Sequence, residues 1–150
     1  MSIDHRPAVR RRPGAAARRA GYLISVAVNV MLLWLINVSP GWAVVPVLTA
    51  GTVHVLTLIN ASLIAGVVVN ALQVAYDPPW LVNLGGLVTT GIGVAAMIRL
   101  WQVFPFAFTG SFDWAMLARI LLVLGIAGSL VAMVVQVARL AGDCGRPAAV

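Results

Sequence analysis

Two arginines, one histidine and one aspartate stand out in a sequence that has few ionisable side chains. Arg99 and Arg119 lie near the ends of two consecutive apolar segments, and Asp113 lies between the two. His54 is at the start of an earlier apolar segment. Because the planar fork of an arginine fits phosphate or carboxylate, these residues predict an anion or lipid-phosphate site. In the simpler alternative, both arginines snorkel and bind lipid phosphates without specificity.

The composition defines the class of protein around these residues. Of 150 residues, 61% are hydrophobic and 9% are charged, and the mean hydropathy is +1.00. Soluble domains carry about 25% charged residues, whereas disordered chains combine low hydrophobicity with many charges. Both classes are excluded, which leaves an integral membrane protein.

Signatures of catalysis, cofactor binding and metal binding are missing from the sequence. It contains no H-E-x-x-H motif, no G-x-S-x-G motif and no phosphate-binding glycine loop. Its single cysteine, Cys144, allows neither an internal disulfide nor a thiolate zinc site. We therefore expect a protein that is not an enzyme and that has no cofactor and no metal ion.

Four apolar segments are long enough to cross a membrane, since a helix needs about 20 residues to span the hydrocarbon core. The predicted spans cover about 21–38, 53–76, 80–103 and 114–140. The predicted fold is all-α, an integral membrane bundle of four transmembrane helices over residues 21–141. Residues 1–20 are expected to form a basic flexible tail, and residues 142–150 a second flexible tail.

The segment 43–52 has two interpretations. It is apolar and continues into the second span, so it could be an interfacial or re-entrant segment or a part of that span. Pro46 and Gly51 interrupt helices and favour the first interpretation, with a helix that begins near Thr52.

The distribution of arginines predicts the orientation of the helices. Arginines that flank membrane spans are retained on the cytoplasmic side. We therefore expect a protein of the plasma (inner) membrane with both termini in the cytoplasm. The tail is expected to contact anionic lipids of the inner leaflet. It lacks the interleaved aromatic residues that stack bases, so no nucleic-acid partner is expected. The basic residues of this tail are Arg10, Arg11, Arg12, Arg18 and Arg19.

Two features leave other topologies open. A three-crossing chain would satisfy the arginine count equally well, but the placement of aromatic residues near the two interfaces favours four crossings. The first span could also be a cleaved signal peptide. Its 18 uncharged residues from Gly21 to Val38 exceed the usual apolar core of such peptides, which favours an uncleaved anchor.

Small residues recur at helical spacing on the third and fourth spans. Such stripes let two membrane helices approach closely, so their members are expected at helix contacts. The residues are Gly85, Thr89, Gly93, Gly125 and Ser129. A belt of amides lies in the inner half of the spans and indicates either interhelical hydrogen bonds or a polar pathway for a substrate. It consists of Asn29, Asn70, Gln73 and Gln136.

Two runs of residues flank the third span, Tyr76-Asp77-Pro78-Pro79-Trp80 and Arg99-Leu100-Trp101-Gln102-Val103-Phe104-Pro105-Phe106. They resemble runs in small uncharacterised integral membrane proteins of actinobacterial type with four helices. The resemblance covers about residues 20–140. It implies a four-helix membrane fold and a bacterial source, and it implies no activity.

The sequence therefore favours a non-enzymatic membrane protein, either a structural or accessory subunit or an oligomeric membrane component. The alternative is a small transporter or channel component that uses the outer-side residues Arg99, Arg119 and His54 for an anion.

Overall fold

The computed structural model describes residues 14–108 and 112–144, which contain four long helices. They are α1 (Ala15–Asn37), α2 (Val53–Ala75), α3 (Pro79–Val103) and α4 (Trp114–Cys144). All four are long and apolar enough to cross a membrane. Even the 23 residues of α1 extend about 35 Å, more than a hydrocarbon core of about 30 Å. The prediction of an all-α, four-helix membrane protein is confirmed, and by helix length and hydropathy the chain is multi-pass.

The two ends of the chain are more helical than predicted. α1 begins at Ala15, so residues 15–20 of the predicted tail are helical. Three consecutive alanines, the strongest helix formers, extend the helix beyond its apolar segment. α4 continues to Cys144, past the predicted end at 140 and into the predicted tail at 142–150. The remainder of both predicted tails, residues 1–13 and 145–150, lies outside the described residues.

Prolines set the limits of α3. Pro79 occupies its first position, where the missing N–H has no intrahelical partner to lose and the fixed φ suits a helix. The helix ends at Val103, two residues before Pro105. The intervening residue, Phe104, adopts a left-handed conformation with φ of 40°. That conformation is rare for a residue with a side chain and changes the direction of the chain sharply. It turns the backbone away from the helix axis and into the α3–α4 connection.

The segment 43–52 forms turns and a short extended stretch instead of additional α-helix. It contains two 3-10 turns, Trp42–Val44 and Ala50–Thr52, and α2 begins immediately after the second. Leu48 forms an isolated antiparallel bridge with Phe106. On either side of this bridge, Ala107 N–H donates to Val47 O at 2.9 Å and Thr49 N–H donates to Pro105 O at 3.0 Å. The α1–α2 and α3–α4 connections are therefore held together at one end of the molecule, which we call the connection end.

The helices alternate in direction. Asn37, near the end of α1, and Asn60, near the start of α2, exchange two side-chain hydrogen bonds of 3.0 and 2.8 Å. Asp77, just after α2, meets Arg18 in the first turn of α1. The beginning of α1, the α2–α3 connection and the end of α4 consequently share the opposite end of the molecule, which we call the terminal end. Residues 14 and 144 are therefore at the same end of the molecule.

The helices pack in chain order. Extensive contacts join α1 to α2, α2 to α3 and α3 to α4, whereas α1 and α4 are not packed together. Buried side chains belong to α2, α3 and the connections, and none of the described side chains of α1 or α4 is buried. The four-helix bundle is thus an open row, with α1 and α4 each packed extensively along one neighbouring helix.

Candidate functional site

Arg119 lies against aromatic rings at the connection end. Its guanidinium carbon Cζ is 4.7 Å from the centroid of the Phe104 ring and 5.6 Å from that of Trp101. A cation at these distances from ring faces is attracted by the ring quadrupole. The left-handed conformation of Phe104 at the end of α3 places its ring beside α4, so the bend in the backbone contributes directly to this contact.

Asp113 and Arg119 line the same open cavity of about 480 Å³ on the surface of α4. Asp113 does not form an ion pair with either arginine. Its Oδ1 accepts a hydrogen bond from the backbone N–H of Met116 at 2.9 Å, which is the geometry of an N-terminal cap on α4. The cavity therefore combines an exposed guanidinium, a carboxylate already engaged by the backbone, and apolar side chains.

Arg99 and His54 do not line this cavity. Arg99 is exposed on α3 and donates from Nη1 to Oε1 of Gln102 at 3.3 Å. His54 is exposed in the first turn of α2. Both residues are at the connection end. The action of all four residues on one ligand stays a prediction, because only Arg119 and Asp113 share a described cavity.

Amide side chains lie against glycines at all three helix contacts. The positions that a Cβ atom would occupy at the glycines measure how close these contacts are. The Cβ at Gly66 on α2 would lie 2.8 Å from Asn29 Nδ2 on α1, and that at Gly86 on α3 would lie 2.9 Å from Gln136 Nε2 on α4. Between α2 and α3, the Cβ at Gly85 would lie 3.0 Å from Gln73 Nε2.

The amide belt thus lies at close helix contacts. Asn29 and Asn70 also donate to backbone carbonyls of their own helices, at Ser25 O and Gly66 O. Both of these hydrogen bonds lie within one helix, whereas the sequence predicted hydrogen bonds between helices, so the choice between a structural belt and a substrate pathway stays a prediction. The amides were predictable from the sequence, but their contacts with Gly66 and Gly86 were not, since spacing within one helix does not reveal the residue that faces it.

The residues of the predicted small-residue stripes have different environments. A Cβ at Gly85 would overlap Val69 Cγ1 of α2, and one at Gly125 would lie 3.0 Å from Met97 Sδ of α3. A Cβ at Gly93 would meet nothing within 4 Å. Thr89 Oγ1 donates to carbonyls of its own helix, at Gly85 and Gly86, and Ser129 is half-buried. Gly85 and Gly125 therefore lie at contacts within the chain, whereas Gly93 faces open space.

An ion pair at the terminal end was missed by the sequence analysis. Arg18 Nε donates to Asp77 Oδ2 at 2.6 Å, and Tyr22 OH donates to Asp77 Oδ1 at 2.8 Å. The side chains of Arg18 and Asp77 are 23% and 13% exposed. Arg18, one of the residues predicted to contact lipid headgroups, joins α1 to the α2–α3 connection. The available signal was the pair of opposite charges at predicted span ends on the same side, with Tyr22 one helical turn after Arg18.

Within residues 14–108 and 112–144, no three His, Cys, Asp or Glu side chains are grouped so that they could hold a metal ion. Comparison of the chain with protein-family models, with curated proteins and with solved structures finds no match.

Proposed function

We propose that this chain is a non-enzymatic integral membrane protein that acts as an accessory subunit or as a self-associating component of a membrane assembly. The supporting observation is the open row of helices. α1 and α4 each pack against a single neighbour and bury none of their described side chains. A partner or a second copy can therefore pack along either helix without any rearrangement of the row.

Glycines on the outer faces support this proposal. A Cβ at Gly128 on α4 would meet nothing within 4 Å, and Ala132 follows it by four residues. Small residues spaced in this way allow another membrane helix to approach closely, where van der Waals packing drives association in lipid. Gly93 of α3 is equally open. These positions differ from Gly85 and Gly125, which are already filled by contacts within the chain.

The test is the substitution Gly128→Leu, with Gly142→Leu as its control. Gly142 is also open, on the same helix but away from the Gly128–Ala132 pair. Energy transfer between two labelled populations in lipid vesicles measures self-association, and cross-linking in native membranes measures association with a partner. We expect Gly128→Leu to weaken association roughly tenfold or more, since extra volume in a packed contact costs about 1–3 kcal/mol, and Gly142→Leu to leave it unchanged. Equal association of both variants and the unsubstituted protein would count against the proposal.

The second candidate is a small transporter or channel component with an anion or lipid-phosphate site at the connection end. The cavity that Arg119 and Asp113 share supports it, because arginine binds phosphate and carboxylate in a planar fork. Arg119→Leu and Arg99→Leu should then abolish thermal stabilisation by inorganic phosphate or by anionic lipid vesicles. The control is Arg139→Leu, which replaces an exposed arginine near the other end of α4. An unchanged response to anions in both variants would remove this candidate.

The orientation and the cellular location belong to the same proposal. We infer that residues 14 and 144 face the cytoplasm of a bacterial plasma (inner) membrane, where Arg19 at the exposed start of α1 can reach anionic lipids. The other basic tail residues invoked for this contact, Arg10, Arg11 and Arg12, lie outside the described residues. Reporter fusions at the two termini test the orientation, and opposite sidedness of the termini would contradict it.

A further inference from the structure

Two opposite charges line one cavity at the connection end without pairing with each other. They are Asp113 and Arg119, the charged residues in the walls of the cavity of about 480 Å³ on α4. Within residues 14–108 and 112–144, no ion pair joins these two side chains or links either of them to another residue. Each charge is therefore open to a partner from outside the chain.

The guanidinium of Arg119 keeps its hydrogen-bond donors. Its Cζ lies over the rings of Phe104 and Trp101, at 4.7 and 5.6 Å from their centroids. Ring faces attract a cation but are weak acceptors of hydrogen bonds, and no described residue accepts a hydrogen bond from Arg119. The two rings therefore hold the guanidinium in place while its N–H groups remain available to a phosphate, whose oxygens match the planar fork.

The carboxylate of Asp113 keeps one oxygen for a ligand. Its Oδ1 caps α4 by accepting a hydrogen bond from Met116 N–H at 2.9 Å, whereas Oδ2 has no hydrogen-bond partner among the described residues. The cap fixes the position of the carboxylate, and the side chain is exposed. Oδ2 can therefore accept a hydrogen bond from an ammonium group, and such bonds between ionised groups are about twice as strong as neutral ones.

The cavity continues as an apolar groove between α3 and α4. A neighbouring cavity of about 280 Å³ shares Trp101 and Val123 with it and reaches Leu130. The other residues of its walls, also apolar, are Ile98, Ile126 and Ala127. From Arg119 to Leu130 the path follows α4 for about 16 Å, close to half of a hydrocarbon core of about 30 Å. The groove therefore has about the length of one lipid leaflet.

The order of these features along α4 matches the order of groups in a phospholipid. Asp113 precedes Arg119 by six residues, about 9 Å along the helix, and the apolar groove follows on the other side of Arg119. Trp114, next to Asp113, and Trp101 are of the residue type that lies at the membrane–water interface, so Asp113 is on the water side of Arg119. In an ethanolamine phospholipid the ammonium is outermost, the phosphate follows, and the acyl chains lie in the core.

We propose that this cavity binds a phospholipid with an ethanolamine headgroup, with its phosphate on Arg119, its ammonium on Oδ2 of Asp113 and one acyl chain in the α3–α4 groove. The headgroup carries one negative and one positive charge, as the cavity does. Phosphatidylcholine has no N–H group to donate and phosphatidylglycerol has no cation, so neither satisfies Asp113. The inference rests on the second candidate function above, because it names the ligand of the anion or lipid-phosphate site.

Photochemical labelling with matched lipids tests this assignment. The full chain is placed in phosphatidylcholine vesicles with a small, fixed fraction of a probe lipid that carries a diazirine midway along one acyl chain. The probe has an ethanolamine, choline or glycerol headgroup on otherwise identical chains. After irradiation, peptide mass spectrometry locates and counts the adducts.

We expect adducts in the groove at Ile98, Ile126 and Leu130. The ethanolamine probe should give roughly tenfold more of them than either other probe, the effect of one charged hydrogen bond. Groove labelling by the ethanolamine probe that does not exceed labelling by both other probes would overturn the proposal. Adducts no more frequent in the groove than on α1 would also overturn it.

Two substitutions address the two charges separately. Asp113→Asn keeps the cap on α4 but removes the negative charge, so groove labelling by the ethanolamine probe should fall to the level of the choline probe. Labelling by the glycerol probe should not fall. Arg119→Gln should lower labelling by all three probes, since each contains a phosphate. Arg139→Gln, at an exposed arginine near the other end of α4, is the control and should change none of them.

The glycerol probe also reports damage to the fold. If Asp113→Asn lowers labelling by the ethanolamine and glycerol probes equally, Asp113 is structural and the proposal is contradicted. An unchanged preference for ethanolamine in this variant would contradict it as well.

Inorganic phosphate separates this inference from the candidate function on which it rests. Stabilisation of the purified chain against heat by phosphate should require Arg119, and Asp113→Asn should leave it unchanged or increase it. An absent preference for ethanolamine together with a phosphate response that requires Arg119 would overturn the ethanolamine ligand and leave the anion site standing. An absent preference without any phosphate response would remove the candidate function as well.

Discussion

Replacement of Gly85 by alanine should weaken the contact between α2 and α3. A Cβ at this position would overlap Cγ1 of Val69 and would lie 3.0 Å from Nε2 of Gln73. The valine cannot easily rotate away, because β-branched side chains in helices have one strongly preferred rotamer. Gln73 is 5% exposed and has little free space around it. The two helices must therefore separate, or the valine must adopt a strained rotamer.

The expected net effect is a loss of about 1–2 kcal/mol in the free energy of unfolding. Extra volume in a packed contact costs about 1–3 kcal/mol. Replacement of glycine by alanine in a helix recovers about 0.4–1 kcal/mol. The same substitution at Gly93, where a Cβ would meet nothing, carries only the favourable part. Gly85→Ala and Gly93→Ala should therefore change stability in opposite directions.

Unfolding in mixed micelles with increasing sodium dodecyl sulfate measures both variants, and the five tryptophans report the transition by fluorescence. Val69→Ala removes the overlapping methyl group, so in the Gly85→Ala background it should restore part of the lost stability. We expect a coupling energy of about 0.5–3 kcal/mol between these two contacting positions. Equal stability of Gly85→Ala and Gly93→Ala, or independent effects at the two contacting positions, would refute the reasoning.

Three further contacts are open to the same unfolding measurement. Arg18→Gln should lower the unfolding free energy by about 1–3 kcal/mol, because it removes a partly buried charged hydrogen bond. Arg19→Gln, the same change at the exposed neighbouring arginine, should alter it by less than about 0.5 kcal/mol. Similar losses of stability in the two variants would contradict a stabilising ion pair. Asp113→Ala should cost about 0.5–2 kcal/mol by uncapping α4, whereas Asp113→Asn retains the cap, so equal losses would argue against capping. A double-mutant cycle with Asn37→Leu and Asn60→Leu should give a coupling of about 0.6–1.7 kcal/mol, and additive effects would show that their hydrogen bonds contribute nothing.

Properties that follow from the order of residues along the chain were predictable. The number of helices and their approximate lengths follow from uninterrupted apolar segments, since a hydrocarbon core of fixed thickness requires about 20 residues per crossing. The prolines at 40, 78, 79 and 105 mark the connections because proline cannot continue a helical hydrogen-bond ladder. The start of α1 at Ala15 was missed because it depends on helix propensity and an ion pair, which hydropathy does not measure.

Properties that depend on the rotation of each helix were not predictable. These helices are apolar around most of their circumference, so amphipathic periodicity does not indicate which face is in contact with a neighbour. Gly93 belongs to the same stripe as Gly85 but faces open space, whereas Gly66 and Gly86 lie beneath amide side chains. The candidate site shows the same limit, since Arg119 and Asp113 share a cavity that Arg99 does not line.

Apolar segment length and helix-ending residues, both readable along the chain, were enough to establish a membrane protein with four helices. The assembly of the helices into an open row, the Arg18–Asp77 ion pair across 59 positions and the burial of the Thr52 hydroxyl required the folded molecule. The hydrophobic effect decides whether a segment lies in lipid or in water, and it has no directional preference. Close packing and hydrogen bonds, which act over a few ångströms between residues far apart in the chain, select its neighbours.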